Sequence, residues 1–329
     1  LKKQNYGLFW LDKRFYLNRI PNLFLTLQLM LNFILAVLFT VSLYLIMRAF
    51  PKYGVNPLHA VIFNYYTCVG MGLAFMPDRT SYFNADWTST PTLLTLALGI
   101  MFVVVFVLIG LTTTKVGVTV ASLAGNMSLV IPVLFGLFVF KNNNKDFTFW
   151  NYSGLVMALA ALALSTIKNE KSESVAKSGW VLFLPVLMFL GSGTNNTLIN
   201  YVSATFYRPD QSALFTAIAC TGAILVGTSF LIFKMVFAKE KVSGRSIVGG
   251  LILGFPNFLS FYFLIGALSD FGNSAAFVFP IYNVLSMLTS ALFAWVLFKE
   301  TLQPLNKLGL ALAVLAIFLI SYQEILAAF

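Results

Sequence analysis

Apolar residues run for about twenty positions at a time along most of this chain, and short polar or proline-containing breaks separate the runs. An α-helix needs about that length to cross the roughly 30 Å hydrocarbon core of a bilayer. The pattern predicts ten spans, at residues 31–50, 57–76, 92–112, 117–140, 149–167, 180–202, 212–237, 247–268, 273–298 and 305–322. Pro51, Pro57, Pro91, Pro209 and Pro304 stand at span edges, where proline interrupts a helix at least cost. The links are short and leave no room for a soluble domain. The expected fold class is therefore all-α integral membrane, with ten transmembrane helices.

The pattern also repeats. Gly117 to Lys141 (GVTVASLAGNMSLVIPVLFGLFVFK) has the build of Gly272 to Glu300 (GNSAAFVFPIYNVLSMLTSALFAWVLFKE). Leu108-Ile109-Gly110 answers Leu264-Ile265-Gly266, Phe140-Lys141 answers Phe298-Lys299, Gly154 answers Gly309, and Cys68-Val69-Gly70 answers Cys220-Thr221-Gly222. These matches fall in one order at a nearly constant offset. They divide the chain into a first five-helix repeat at 30–167, a hydrophilic linker at 168–178 (KNEKSESVAKS), a second repeat at 179–324 and a tail at 325–329. Five is odd, so the second repeat enters the membrane from the opposite side, which makes two inverted repeats. Secondary transporters use that architecture to alternate access to a midplane site.

Composition supports the class: 59% of residues are hydrophobic and 10% charged, against about a quarter charged in soluble domains. The net charge of +10 fits helix-end anchors better than nucleic acid, because no basic cluster comes with the fold that nucleic-acid binding would need. Basic residues on the odd-numbered links (among them Arg48, Lys52, Lys115, Lys234, Arg245 and Lys299) outnumber those on the even ones (Arg79, Lys141, Lys145 and Arg208). That bias puts the linker in the cytoplasm and both termini outside. Residues 1–29 hold Lys2, Lys3, Lys13, Arg14 and Arg19, which weigh the other way and leave the orientation open. Met30 opens the first clean apolar run and is the expected native start. If residues 1–29 belong to the protein, they read as an interfacial basic and aromatic segment.

Catalytic chemistry is not expected. None of the eleven Asp and Glu residues lies mid-span, and the single histidine, His59, reads as an interfacial anchor. Cys68 and Cys220 both fall inside spans, which argues against a disulfide framework or a metal site. No cofactor is expected, and no nucleophile–base pair is visible. The spans instead carry neutral polarity. An amide in hydrocarbon needs partners for both donor and acceptor, so it faces another helix or a wet cavity. Asn126, Asn195, Asn196, Asn257 and Asn283, with Ser122 and Tyr282, form the candidate substrate pathway. Tyr65 and Tyr66 could also stack on a planar solute. Pro132, Gly191, Gly193, Pro256 and Pro280 are candidate hinges, and Pro256 and Pro280 free carbonyls that need new partners. Small polar residues also glue helices together in lipid, which is the competing role for each. The two walls are not equivalent: on the Phe140-Lys141 to Phe298-Lys299 alignment, Asn126 meets Val284 and Pro132 meets Ser290.

Val139-Phe140-Lys141 followed by Gly154, and Leu297-Phe298-Lys299-Glu300 followed by Gly309, resemble the EamA-type ten-helix branch of the drug/metabolite transporter superfamily over about residues 31–322. Departures are visible. Asn142 to Asn144 stand where that family often has an acidic residue, while Glu300 keeps it in the second half. The first span lacks the buried Glu of the small multidrug antiporters. The resemblance implies cytoplasmic termini and a central cavity lined by both halves. The expected function is alternating-access movement of a small neutral or zwitterionic metabolite across the plasma (inner) membrane, alone or as a homodimer. The alternatives are a broad-specificity exporter of amphipathic compounds and a non-transporting membrane scaffold.

Overall fold

A computed structural model describes residues 31–128, 130–132, 135, 148–166, 179–208, 211–270, 275–323 and 326. Among them the secondary structure is helix and turn, with no strand. In chain order the helices of ten or more residues are α1 (31–49), α2 (Pro57–Phe75), α3 (Thr90–Lys115), α4 (Val118–Met127), α5 (Phe149–Thr166), α6 (Leu184–Phe206), α7 (Ser212–Phe237), α8 (Gly244–Asp270), α9 (Ala275–Phe298) and α10 (Pro304–Ile320), with single turns of helix at Phe50–Tyr53, Thr80–Phe83 and Gly179–Phe183. Seven stretches, drawn from α1–α3 and α6–α9, are long and apolar enough to cross a membrane. The stretches in α4, α5 and α10 are shorter apolar helices. The protein is thus an all-α, multi-pass membrane protein. Residues 1–29, the 168–178 linker, Pro209 and most of 133–147 lie outside the described residues.

The helix ends follow local chemistry. Asn56 caps α2 by accepting the Leu58 N–H at 3.0 Å, with Pro57 at the first helical position. At α10, Gln303 and Asn306 form a capping box around Pro304. Proline at that position loses no helical bond, since the first N–H groups of a helix have no partner within it. Pro256, by contrast, lies inside α8, which runs on through it. Where the sequence predicts one fourth span at 117–140, α4 ends in a turn at Ser128, and helix is again described at 130–132 and 135.

Small residues set the packing. Helices in lipid gain little from hydrophobic burial and associate through close backbone approach. α3 meets α7 where a Cβ on Gly99 would stand 2.1 Å from the Ala223 nitrogen and one on Gly222 2.1 Å from the Leu96 carbonyl. α2 meets α8 in the same manner, with Gly250 against the Ala60 carbonyl and Gly254 against that of Asn64. α5 packs on α10 through Gly154, against the Ala316 carbonyl. α4 contacts both α6 and α9. The two largest buried clusters are one from α1, α4, α5, α6, α9 and α10 and one from α1, α2, α3, α7 and α8. α1 contributes to both. Outward residues such as Phe233 and Phe237 on α7, or Leu292 and Trp295 on α9, remain exposed apolar surface, which suits lipid contact.

Many span hydroxyls are satisfied locally. Thr95, Thr112, Thr113, Thr114, Thr197 and Thr221 each donate to the carbonyl four residues earlier, at 2.7–2.9 Å. Such bonds let a hydroxyl lie in hydrocarbon without a second helix.

Candidate functional site

The start of α4 sits at the end of α9, because the Val118 N–H donates to Glu300 Oε1 at 3.0 Å. α4 and α9 therefore run in opposite directions. α4 and α6 run the same way: Gly125 lies against Met188 and Gly193 against Ile131. At 1.5 Å per residue, Asn126 lies about 12 Å along α4 from Val118, and Ser290 about 15 Å along α9 from Glu300. Both depths are near the middle of a hydrocarbon layer about 30 Å thick. Ser286 and Asn283 lie past the middle along α9, about 21 and 25 Å from Glu300, and Asn195 falls just beyond the Gly193 contact on α6.

Around this line the polar atoms divide into two groups. Asn126 is buried and spends its amide on its own helix, donating to the Ser122 carbonyl at 2.7 Å and to the Ser122 hydroxyl at 3.2 Å. The second group is buried without a hydrogen-bond partner among the described residues: Asn195 Oδ1, Asn283 Nδ2, Ser290 Oγ and Ser286 Oγ. The Ser286 hydroxyl faces the Tyr282 phenol outside hydrogen-bonding geometry. Tyr282 is itself joined to α1 by a 2.5 Å bond to the Thr40 hydroxyl, and Phe33 meets its ring edge-on at 6.5 Å. A second tyrosine, Tyr44 on α1, lies over Gly125, where a Cβ would stand 2.8 Å from the phenol oxygen. A buried unpaired amide or hydroxyl costs about 1–3 kcal/mol, so Asn283, Ser286 and Ser290, which share one face of α9 by their helical spacing, and Asn195 on α6, on the other side of α4, are open valences. The set offers donors and acceptors and, among the described residues, no charge.

The other sequence candidates lie elsewhere or play different parts. Asn257 belongs to the α2–α8 seam, donating to Asn64 Oδ1 at 2.6 Å, while Asn64 donates to the Val61 carbonyl at 2.5 Å. Asn196 on α6 is half-buried. Gly193 provides room for Ile131, whose Cδ1 would stand 2.3 Å from a Cβ there, and Gly191 rests beside Val105 and Leu108. Pro132 is half-buried in the short helical piece after Ser128, and Pro280 falls within α9. Tyr65 is fully buried against Phe102 and Phe106, whereas Tyr66 is exposed and bonded to Thr228 at 2.8 Å. Cys68 and Cys220 are free, buried and adjacent in one cluster.

His59 differs from the expected interfacial anchor. It is buried beneath the α7–α8 connection, with Nε2 2.9 Å from Glu240 Oε1. Lys234 closes the same carboxylate at 3.0 Å, and this hydrogen bond, more than the neighbouring imidazole, holds the Glu240 carboxyl below its ordinary range. Thr40, Tyr44 and Asn64 are contributors that the sequence reading did not single out. The only available signal was a polar side chain within an apolar run.

No family model matches the chain. It is 24% identical over 305 residues to an uncharacterized protein of Haemophilus influenzae, covering 89% of this chain and 98% of that protein. It is also similar to a solved crystal structure at a TM-score of 0.50 and 14% identity, over 89% of this chain and 98% of the other, a likeness of fold alone.

Proposed function

We propose that this protein is a ten-span plasma-membrane transporter of the drug/metabolite type, EamA branch, which moves a small neutral or zwitterionic metabolite by alternating access between two inverted five-helix halves. The observation that carries the proposal is the set of polar atoms buried without a partner among the described residues: Asn283, Ser286 and Ser290 along one face of α9, and Asn195 on α6. A pure scaffold gains nothing from such atoms, because each weakens the fold, whereas a binding site needs them free for a solute.

The packing favours the inverted arrangement. Shifting every helix number by five turns the α3–α7 contact into α8–α2, and both contacts are present. The same shift maps α2–α7, α4–α9 and α5–α10 onto themselves. Cys68 and Cys220, matched in the sequence echo, stand beside each other as a pair on a two-fold axis would. Gly99 lies eleven residues before Gly110, and Gly254 twelve before Gly266, so the close approaches at these two glycines fall at matching depths within one residue.

Neutral amides and hydroxyls with no Asp, Glu, Lys or Arg beside them among the described residues favour an uncharged or internally balanced solute, since an isolated charge there would lack a counter-ion. The test is reconstitution of the full chain in liposomes, with uptake of a mixed metabolite panel read by mass spectrometry. Accumulation of neutral or zwitterionic members is expected. Uptake confined to strongly charged members would reject the stated substrate class, and no uptake at all would favour a scaffold.

A further inference from the structure

Glu300 closes the α9–α10 turn, at the edge of the second half, yet its carboxylate is spent on the first half. Oε1 accepts the Val118 N–H at 3.0 Å, while Oε2 lies 3.5 Å from the Thr119 N–H and 3.4 Å from the Thr119 hydroxyl. The first amides of a helix have no partner within it and carry its positive end, so a carboxylate binds them well. Arg48, at the end of α1, stands 3.6 Å from Glu300 Oε1 and donates to the Thr113 and Thr114 carbonyls at 3.2 and 2.5 Å, which are free at the end of α3. One carboxylate and one guanidinium thus tie α1, α3, α4 and α9 together at a single face. Gly117 is fitted to this contact. Its φ is +137°, and a Cβ there would stand 3.2 Å from both carboxylate oxygens. In the sequence echo the residue matching Glu300 is Asn142, which has no charge to repeat the contact at the opposite face.

We propose that Glu300 is a one-sided latch, a positioning residue that holds the α4–α9 face shut and biases the protein toward opening at the opposite face. The inference rests on the transporter reading for its purpose, while its mechanical content stands apart from transport. With the latch closed, Ser122, one turn inside α4, is fully buried. Releasing the Glu300 contacts lets the end of α9 leave the start of α4 and admits water to Ser122.

The test uses the full chain with Cys68→Ala and Cys220→Ala, in oriented vesicles, and a membrane-impermeant maleimide. Lys307→Cys, exposed near Glu300, identifies the latch face. Ser122→Cys reports opening at that face, and Ala161→Cys, buried on α5, reports general loosening. Glu300→Gln is expected to raise the Ser122→Cys labelling rate by about fivefold or more, the usual scale of a coupling between two states, with Ala161→Cys unchanged. Thr119→Val, a milder change that removes only the hydroxyl contact, shifts the rate the same way by a smaller factor and serves if Glu300→Gln does not fold. An unchanged Ser122→Cys rate, or an equal rise at Ala161→Cys, overturns the latch. Flux in liposomes without a labelling change removes the latch and keeps the transporter. A labelling change without flux keeps the latch as a conformational device and removes the transporter.

Discussion

The Thr40 hydroxyl and the Tyr282 phenol stand 2.5 Å apart and join α1 to α9, helices far apart in the chain. Both side chains lie within spans, where the alternative to this bond is an unpaired hydroxyl in hydrocarbon. Tyr282→Phe and Thr40→Val are each expected to lower stability by about 0.5–1.5 kcal/mol, the net size of one such bond. Together they should cost less than their sum, because the second change removes a group the first has already orphaned. Thermal unfolding in detergent of the two single variants and the double variant measures this, and simple additivity would mean the bond is not formed.

Asn283 and Asn64 are both buried amides, yet opposite outcomes are expected on replacing them with leucine. Asn64 is bonded to Asn257 and to the Val61 carbonyl, so Asn64→Leu leaves a donor stranded and costs about 1–3 kcal/mol. Asn283 keeps its Nδ2 without a partner, so Asn283→Leu relieves that penalty and leaves stability equal or higher. Melting temperatures of the two variants decide it, and a large loss at Asn283 would make it a structural residue.

Two glycines in the echoed Cys-x-Gly pairs differ in the same way. Around Gly70 nothing lies within 4 Å of an added Cβ, whereas at Gly222 the Leu96 carbonyl would be 2.1 Å away. Gly70→Ala is expected to be near neutral. Gly222→Ala forces α3 and α7 apart, at about 1–3 kcal/mol or more. Yield of monodisperse protein and its melting point report both.

The Lys234–Glu240–His59 contact is expected to add stability with a definite pH sign. The folded Glu240 carboxyl is held below its unfolded value, so its contribution is present above about pH 4.3 and fades as pH falls through the lower, folded value. The pair is partly solvated and the effect small. The melting-point gap between wild type and Glu240→Gln should narrow on acidification, and a gap that widens would contradict the sign.

Run length, edge prolines and capping residues were enough to locate the helices, because those signals are local: Asn56-Pro57 and Gln303-Pro304 begin helices wherever they occur. The contacts between helices were less legible. Nothing in the text of the chain pairs Asn257 with Asn64, puts Glu300 at Val118, or buries His59 under Glu240, since each depends on which helices become neighbours. Polarity in a span is equally ambiguous until its partner is known. Asn126 turned inward to its own Ser122 backbone, while Asn195 and Asn283, chemically alike in sequence, retain open valences.

Those open valences are where transport and scaffolding part company. Proteoliposomes holding equal amounts of wild type and Asn283→Leu, assayed for uptake of whichever neutral or zwitterionic compound the wild type accumulates, compare the two. Loss of one good hydrogen bond to the solute, worth about 1.4 kcal/mol, corresponds to about a tenfold fall in transport efficiency, with folding intact. Undiminished flux through Asn283→Leu would contradict the assignment of the α9 amide to the pathway, and a wild type that moves nothing would contradict transport itself.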